Sequence, residues 1–188
     1  ADDEDNNVHL NQANDITVFV DTVYPNFNIE KIFLDSYVQI STPAGERYPD
    51  VNLAIKNRVK KGSLIFNYTG HGNELGLAHE QIININDIMQ WDNSDRLPLF
   101  MTATCEFSRF DDWERTSAGE LVLLNAQGGG IALFTTTRLV YSTPNYILNQ
   151  NFYETVFSDA SLRLGDVMRM TKIATGTSDN KRNFALLG

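Results

Sequence analysis

Two residues in this chain have the types and settings for nucleophilic chemistry: His71 and the sole cysteine, Cys105. His71 lies in Tyr68-Thr69-Gly70-His71-Gly72, directly after the apolar run Ser63-Leu64-Ile65-Phe66-Asn67. Cys105 lies in Met101-Thr102-Ala103-Thr104-Cys105-Glu106, directly after Leu97-Pro98-Leu99-Phe100. A free thiol has a pKa of about 8.5, so only a few per cent is thiolate at neutral pH. A neighbouring imidazole raises the reactive fraction and can later protonate the leaving group. The two side chains must then be close in space, whatever their distance in sequence. A lone cysteine after a buried strand is also a common inert core residue, so the elements that carry the pair decide between the readings.

Each apolar run reads as a short buried strand with its reactive residue at the carboxyl end. Sites form at that edge of open α/β sheets, because the loops there are exposed while the sheet beneath is rigid. A strand–helix–strand unit accounts for the 34-residue interval between His71 and Cys105, and adjacent parallel strands end about 5 Å apart. Gly70 and Gly72 allow a sharp turn and a close approach of backbone to substrate. The amides of Gly72 and Cys105 are the candidate donors to a developing oxyanion. Glu106, Thr137 and Arg138 fall on the same edge as candidate substrate-binding residues, and Arg138 has the geometry to grip a carboxylate. The alternative is that Glu106 and Arg138 pair with each other, or with Asp111 and Asp112.

The rest of the chain must build that sheet. Val8 to Tyr24 has strand composition at Ile16–Val20, yet Leu10, Ala13, Thr17, Val20 and Tyr24 lie at helical spacing, and a helix is expected. Ile29 to Leu34 reads as a strand. Asp50 is placed as the cap of a helix carrying Val51, Ala54, Ile55 and Val59 and closed by Gly62. A short helix through Ile88 precedes the strand Leu97–Ala103. A helix over Leu121 and Leu124 precedes the strand Ile131–Thr136. Tyr146–Phe157 and Asp166–Ile173 read as helices, and Trp91 and Trp113 as packing residues. Alternating strand and helix predict an α/β fold: a mainly parallel sheet with helices on both faces.

Composition excludes several classes. With 188 residues the chain can form one domain with a core. No run approaches ~18 apolar residues, so no membrane-spanning helix is expected. A net charge of −9 argues against a nucleic-acid partner, which needs a basic stripe. No cofactor and no metal are expected: zinc is disfavoured without a second cysteine or a close histidine pair. His9 and His79 read as surface or packing residues. Calcium on the acidic run Ala1-Asp2-Asp3-Glu4-Asp5 is the one ion left open, although that run lacks a spaced calcium loop.

Three segments together resemble one known family. Tyr68-Thr69-Gly70-His71-Gly72, Thr104-Cys105-Glu106-Phe107 and Gly128-Gly129-Gly130-Ile131-Ala132 are similar to the gingipain family of cysteine endopeptidases. The stretches Thr102 to Asp111, Thr135 to Tyr141 and Lys181 to Gly188 look most like the sortase-like branch that serves type IX secretion. The resemblance implies a caspase-like three-layer sandwich, with Cys105 as nucleophile and His71 as general base and acid. It implies an acidic residue near the histidine, for which Asp5 is the best match and Asp3 the alternative; the other reading of that run is a solvated acidic start. It implies a piece, residues 1–188, of a longer protein, lacking its first strand and flanking modules. It also implies protein substrates bearing a C-terminal sorting domain, outer-membrane partners of the secretion system, and a location at the outer membrane or cell surface of a Gram-negative bacterium. A secreted protease with broader substrates and a catalytically silent binding domain remain as alternatives.

Overall fold

A computed structural model describes residues 1, 2 and 4–188, and at positions 4 and 5 the backbone alone. Asp3 and the Asp5 side chain therefore lie outside the described residues. In chain order the elements are α1 (Glu4–Val23), the hairpin β1 (Ile40–Thr42) and β2 (Gly45–Arg47), α2 (Pro49–Lys61), β3 (Ile65–Thr69), β4 (Gly72–Asn73), β5 (Gly76–Leu77), β6 (Ile83–Asn84) and α3 (Ile85–Met89). There follow β7 (Leu99–Ala103), α4 (Ala118–Leu124), β8 (Ala132–Thr136), α5 (Ser142–Val156), α6 (Leu164–Ala174), α7 (Asn180–Asn183) and β9 (Phe184–Leu187).

The central sheet runs β3-β7-β8-β9. The first three strands are parallel, and β9 returns antiparallel beside β8. Every residue of β7 and β8 is buried, as befits parallel strands covered on both faces. Period-two alternation divides their side chains between two cores. Phe100 and Leu133 face a cluster with Val51, Ile55 and Val59 of α2, Ile88 of α3 and Val122 of α4. Leu99, Met101, Ala132 and Phe134 face Ile16 and Val20 of α1, Leu148 and Phe152 of α5, and Val167 of α6. Each fully buried side chain of this size contributes about 1.5–3 kcal/mol, so the two cores hold the sheet rigid beneath its carboxyl edge.

Local signals explain the helices. Helix α4 opens on a capping box: Ser117 Oγ accepts the Glu120 N–H, and the Glu120 carboxylate accepts the Ser117 N–H. Asn84 and Asp87 do the same for α3. Helix α2 starts two residues earlier than expected. Its N-cap is Tyr48, with Pro49 in the first turn and Asp50 inside it, where a carboxylate meets the positive end of the helix dipole.

Ile29 to Leu34 departs from its expected role. Residues 29–33 form no ladder, and Leu34 opens a short 3-10 turn, Leu34–Ser36. Residues 29–33 and the residues of β3 line the same cavity of about 280 Å³, together with Ile16, Val20 and Ile55. Ala1 and Asp2 bridge the two sides. Ala1 exchanges hydrogen bonds with Ile32 and Leu34, at 2.8 and 3.2 Å, and Asp2 donates its N–H to the Thr69 carbonyl at 3.1 Å. This bridge delivers Asp2 to the end of β3. Trp91 packs in the core as expected, stacked on Phe100 at 5.7 Å. Trp113 does not: it is 90% exposed on the loop after β7, where no core layer reaches it.

Candidate active site

The register brings the two reactive positions to equivalent places. Thr69 pairs with Ala103 across β3 and β7, and His71 and Cys105 each stand two residues further on. Adjacent strands here are about 4.8 Å apart. The loops they enter touch: a β-carbon at Gly72 would stand 2.6 Å from Thr104 Oγ1, so position 72 has room only for glycine.

On the histidine side, Gly70 has φ +152°, and a β-carbon there would come within 2.3 Å of the Asp2 Cβ and 2.7 Å of the Tyr68 hydroxyl. That absence of a side chain lets Asp2 reach the strand end. Asp2 is fully buried, and its Oδ2 accepts the His71 N–H at 2.7 Å. The Tyr68 hydroxyl donates to the His71 carbonyl at 2.7 Å and lies 3.4 Å from the same Asp2 oxygen. The Ala78 N–H also donates to the His71 carbonyl, at 2.9 Å. Burial, and then the Asp2 charge, hold the Tyr68 phenol well above its usual ionisation range. The His71 ring stacks on His79, with centroids 5.0 Å apart and planes 14° from parallel. His9, buried on α1, meets it edge-on at 5.2 Å. All three histidines of the chain are thus gathered at one strand end.

On the cysteine side, Cys105 is partly buried, and its Sγ lies 3.5 Å from the Val140 carbonyl. Glu106 follows with φ +51°, a left-handed backbone that is uncommon outside glycine. That bend is held by Glu106 N–H donating to the Arg138 carbonyl at 3.3 Å and Ser108 N–H to the Thr136 carbonyl at 2.9 Å. Beneath it the Thr136 hydroxyl donates to the Thr104 carbonyl, and Thr102, Thr135 and Ser108 link their hydroxyls at 2.8 and 2.9 Å.

Among the remaining expected residues, Gly72 pairs with Leu77 at the start of β4, which fixes its amide near the Cys105 loop. The Arg138 guanidinium makes two hydrogen bonds to Asp111, at 2.9 and 2.5 Å, and this pairing holds the Asp111 carboxyl below its ordinary value. Thr137 is tied to the Asn183 carbonyl through its N–H, at 2.8 Å, and its hydroxyl, at 3.2 Å. Glu106 is 3.9 Å from Arg109. Apolar side chains stand exposed on these same loops: Phe110, Trp113, Leu139 and Tyr141.

Asp2 and Tyr68 were not singled out in advance, and His9 and His79, read as surface or packing residues, meet the His71 ring. A carboxylate beside His71 was expected from Asp5, or Asp3, and nothing in Asp2-Asp3-Glu4-Asp5 marks Asp2 as a member that turns inward. Among the described residues no group of three or more His, Cys, Asp or Glu converges to hold a metal ion. No helix among them is long and apolar enough to cross a membrane.

The model of Peptidase family C25 matches residues 1–188. The chain belongs to this family, the gingipain-like cysteine peptidases. Solved structures share its fold. The crystal structure of the Arg-specific cysteine proteinase gingipain R aligns with a TM-score of 0.77 at 18% identity, covering 95% of this chain and 41% of that one. The complex of the Porphyromonas gingivalis RgpB pro- and mature domains aligns with 0.76 at 17%, covering 94% and 41%. A third structure, described only as a protease, aligns with 0.62 at 17%, covering 70% and 35%. The chain spans about two fifths of the length of the gingipain structures. No curated protein matches it in sequence. The C25 chain therefore has the caspase-like α/β fold expected from its motifs.

Proposed function

We propose that this C25 chain carries the catalytic dyad of a cysteine endopeptidase, with Cys105 as nucleophile and His71 as base and acid. The observation that carries the reading is the matched register, two residues past Thr69 and Ala103 on neighbouring parallel strands. His71 takes the Cys105 proton, and the sulfur forms a bond to the scissile carbonyl carbon while the carbonyl electron pair moves to oxygen. The amides of Gly72 and Cys105 receive that oxyanion. Collapse breaks the C–N bond, and the leaving amine takes the proton from His71. The thioester then yields to water, which gives an acid, or to an amine, which gives a new amide. Both outcomes use the same two residues. No metal or cofactor enters this scheme.

The finer reading rests on the motif stretches Thr102 to Asp111 and Lys181 to Gly188, which resemble the PorU branch of the family. In that reading the substrates are exported proteins with a C-terminal sorting domain, removed at the outer surface of a Gram-negative cell in contact with other secretion proteins. Replacing Cys105 by Ala in the native host is expected to leave the sorting domain attached, visible as unprocessed cargo. Normal processing in that strain overturns the PorU-like reading. Cleavage of a diverse unstructured peptide library, with normal cargo processing, would mark a general protease instead. Slow alkylation of Cys105 by iodoacetamide near neutral pH, at the rate of an ordinary thiol, would mark a silent binding domain.

A further inference from the structure

We propose that the cationic hollow between α6 and α7 is a binding site for a phosphate ester, held by Arg169, Lys172, Lys181 and Arg182. These four side chains and Ile173 line one open depression of about 330 Å³, in a chain whose net charge is −9. Like charges gathered in this way repel one another, so the arrangement calls for a counter-charge. Burial first, and then the Lys181 charge, hold the Lys172 ammonium below its ordinary value. The protein itself does not supply that counter-charge. Lys56, Lys60, Arg96, Arg115, Arg138 and Arg163 each pair with a carboxylate. Among the described residues no ion pair of this kind reaches any of the four cations of the hollow. The acid of α6, Asp166, is bonded to Arg163, and the Arg169 charge is the least of the influences on it. Asp179, the N-cap of α7, meets Arg182 through its main chain, its carbonyl accepting the N–H at 3.0 Å.

The fold explains why cations collect here without using them up. Helix α6 closes at Thr175, and the negative end of its dipole favours positive side chains. Lys181 Nζ donates to the Gly176 carbonyl just beyond that end, and Lys172 Nζ to the Phe184 carbonyl at 2.6 Å. An ammonium has further N–H donors, so each is held in place and still open to a ligand. Arg169 and Arg182 are exposed, and their guanidiniums make no hydrogen bond among the described residues. Their planar donor edges are the groups that grip two phosphate oxygens at once. Helix α7 divides its residues between two tasks. Asn180 and Asn183 hold the loop after β8, through the Tyr141 and Leu139 carbonyls at 2.8 Å each. Lys181 and Arg182, between them in sequence, line the hollow. Four cations exceed what one carboxylate would neutralise, whereas a phosphate ester brings about two negative charges and several acceptor oxygens. Ile173, 65% exposed in the same hollow, offers an apolar surface to the carbon side of the ester.

The test titrates the full chain with inorganic phosphate by calorimetry, and with phosphatidylcholine vesicles, with and without phosphatidic acid, by co-sedimentation. Arg169→Ala and Arg182→Ala, at exposed positions with no ion pair to lose, are expected to melt with the parent. Each should weaken phosphate binding about tenfold, and Arg182→Lys should lose less than Arg182→Ala. Lys61→Ala removes a cation outside the hollow, at the end of α2, and should leave binding unchanged. Sedimentation with the phosphatidic acid vesicles, lost in the two arginine variants, assigns the ester to a lipid headgroup. Phosphate binding without vesicle binding assigns it to a soluble ester. The proposal is overturned if neither phosphate nor the vesicles bind the parent, or if Arg169→Ala and Arg182→Ala bind as the parent does. It is equally overturned if Lys61→Ala weakens binding as much as they do, since the attraction would then belong to charge in general and not to this hollow.

Discussion

His71 and Cys105 occupy matching places on neighbouring strands, yet their surroundings are built in opposite ways. The His71 main chain is fixed by a fully buried carboxylate and a buried phenol. Those groups are out of water, where unmet hydrogen bonds are costly and met ones are rigid. Cys105 sits on a loop whose ties are backbone contacts to Arg138 and Thr136 and an exposed Arg138–Asp111 pair, beside exposed Phe110 and Trp113. Under the proposed dyad, the proton-handling side then belongs to the interior, while the nucleophile side belongs to the surface that a substrate would reach. Changes to the buried groups behind His71 should therefore damage both fold and chemistry. Changes on the nucleophile side should leave the fold intact.

The largest effect expected is on chemistry alone. His71→Ala should lower kcat/KM by about 10²–10⁴, the usual contribution of a positioned acid–base group, and slow Cys105 alkylation to that of an ordinary thiol. The main-chain hydrogen bonds to Asp2 and Tyr68 remain in this variant, so the melting temperature should fall less than in Asp2→Ala. A large melting shift would mean that the imidazole itself is a structural prop.

Asp2→Ala should break the comparison from the other direction. It removes the acceptor of the His71 N–H and the neighbour of the Tyr68 hydroxyl, and loss of a charged hydrogen-bond partner costs about 1.5–3 kcal/mol. Denaturant unfolding should record that loss, and activity should fall with it. Asp2→Asn, which keeps an acceptor oxygen, should lose less. If Asp2→Ala unfolds at the same denaturant concentration as the parent, the interior side is not as firmly built as these contacts imply.

How much of this was legible follows the same division. The strands β7 and β8 announced themselves as largely apolar runs buried on both faces, β3 through its run Leu64-Ile65-Phe66, and α4 through Leu121 and Leu124. The two-residue strands β4, β5 and β6 carry no period to read, so the loop that brings His79 back to His71 was invisible. Ile29–Phe33 has strand composition but forms no ladder among the described residues, and composition alone cannot report whether a strand finds a partner. Asp2 was hidden for a related reason: its burial comes from a bridge between Thr69 and Ile32–Leu34, contacts far apart in sequence. Trp113 shows the reverse error, a large apolar side chain assigned to packing that stands in solvent on the loop after β7.

Tyr68 sharpens the interior side with a smaller effect. Tyr68→Phe should cost about 1 kcal/mol through the lost bond to the His71 carbonyl. Its phenol is held above the usual value by burial first and Asp2 second, whereas an unfolded tyrosine ionises near pH 10. That contribution is complete below about pH 10 and is lost as pH rises through the elevated folded value. Buried Tyr153 is shifted in the same direction. Calorimetry should show stability falling above about pH 10, less steeply in Tyr68→Phe. Equal slopes would remove Tyr68 from the account.

The smallest effect belongs to the exposed side. Arg138→Ala deletes the tether between the loop after β8 and the loop after β7, and an exposed pair of this kind contributes little to stability. The melting temperature should stay with the parent, while KM for a peptide rises about twofold because the loop around Cys105 loses one restraint. Acid should mimic the substitution. The Asp111 carboxyl is lowered first by its hydrogen bonds from Arg138, so the tether is fully present above about pH 4, the ordinary carboxylate value, and is lost as pH falls through the depressed one. Between about pH 5 and 8 the ratio of KM values, Arg138→Ala over parent, should therefore be flat. A ratio that drifts with pH across that window would mean that Arg138 contacts the substrate directly, and the surface side would then be a binding groove in its own right.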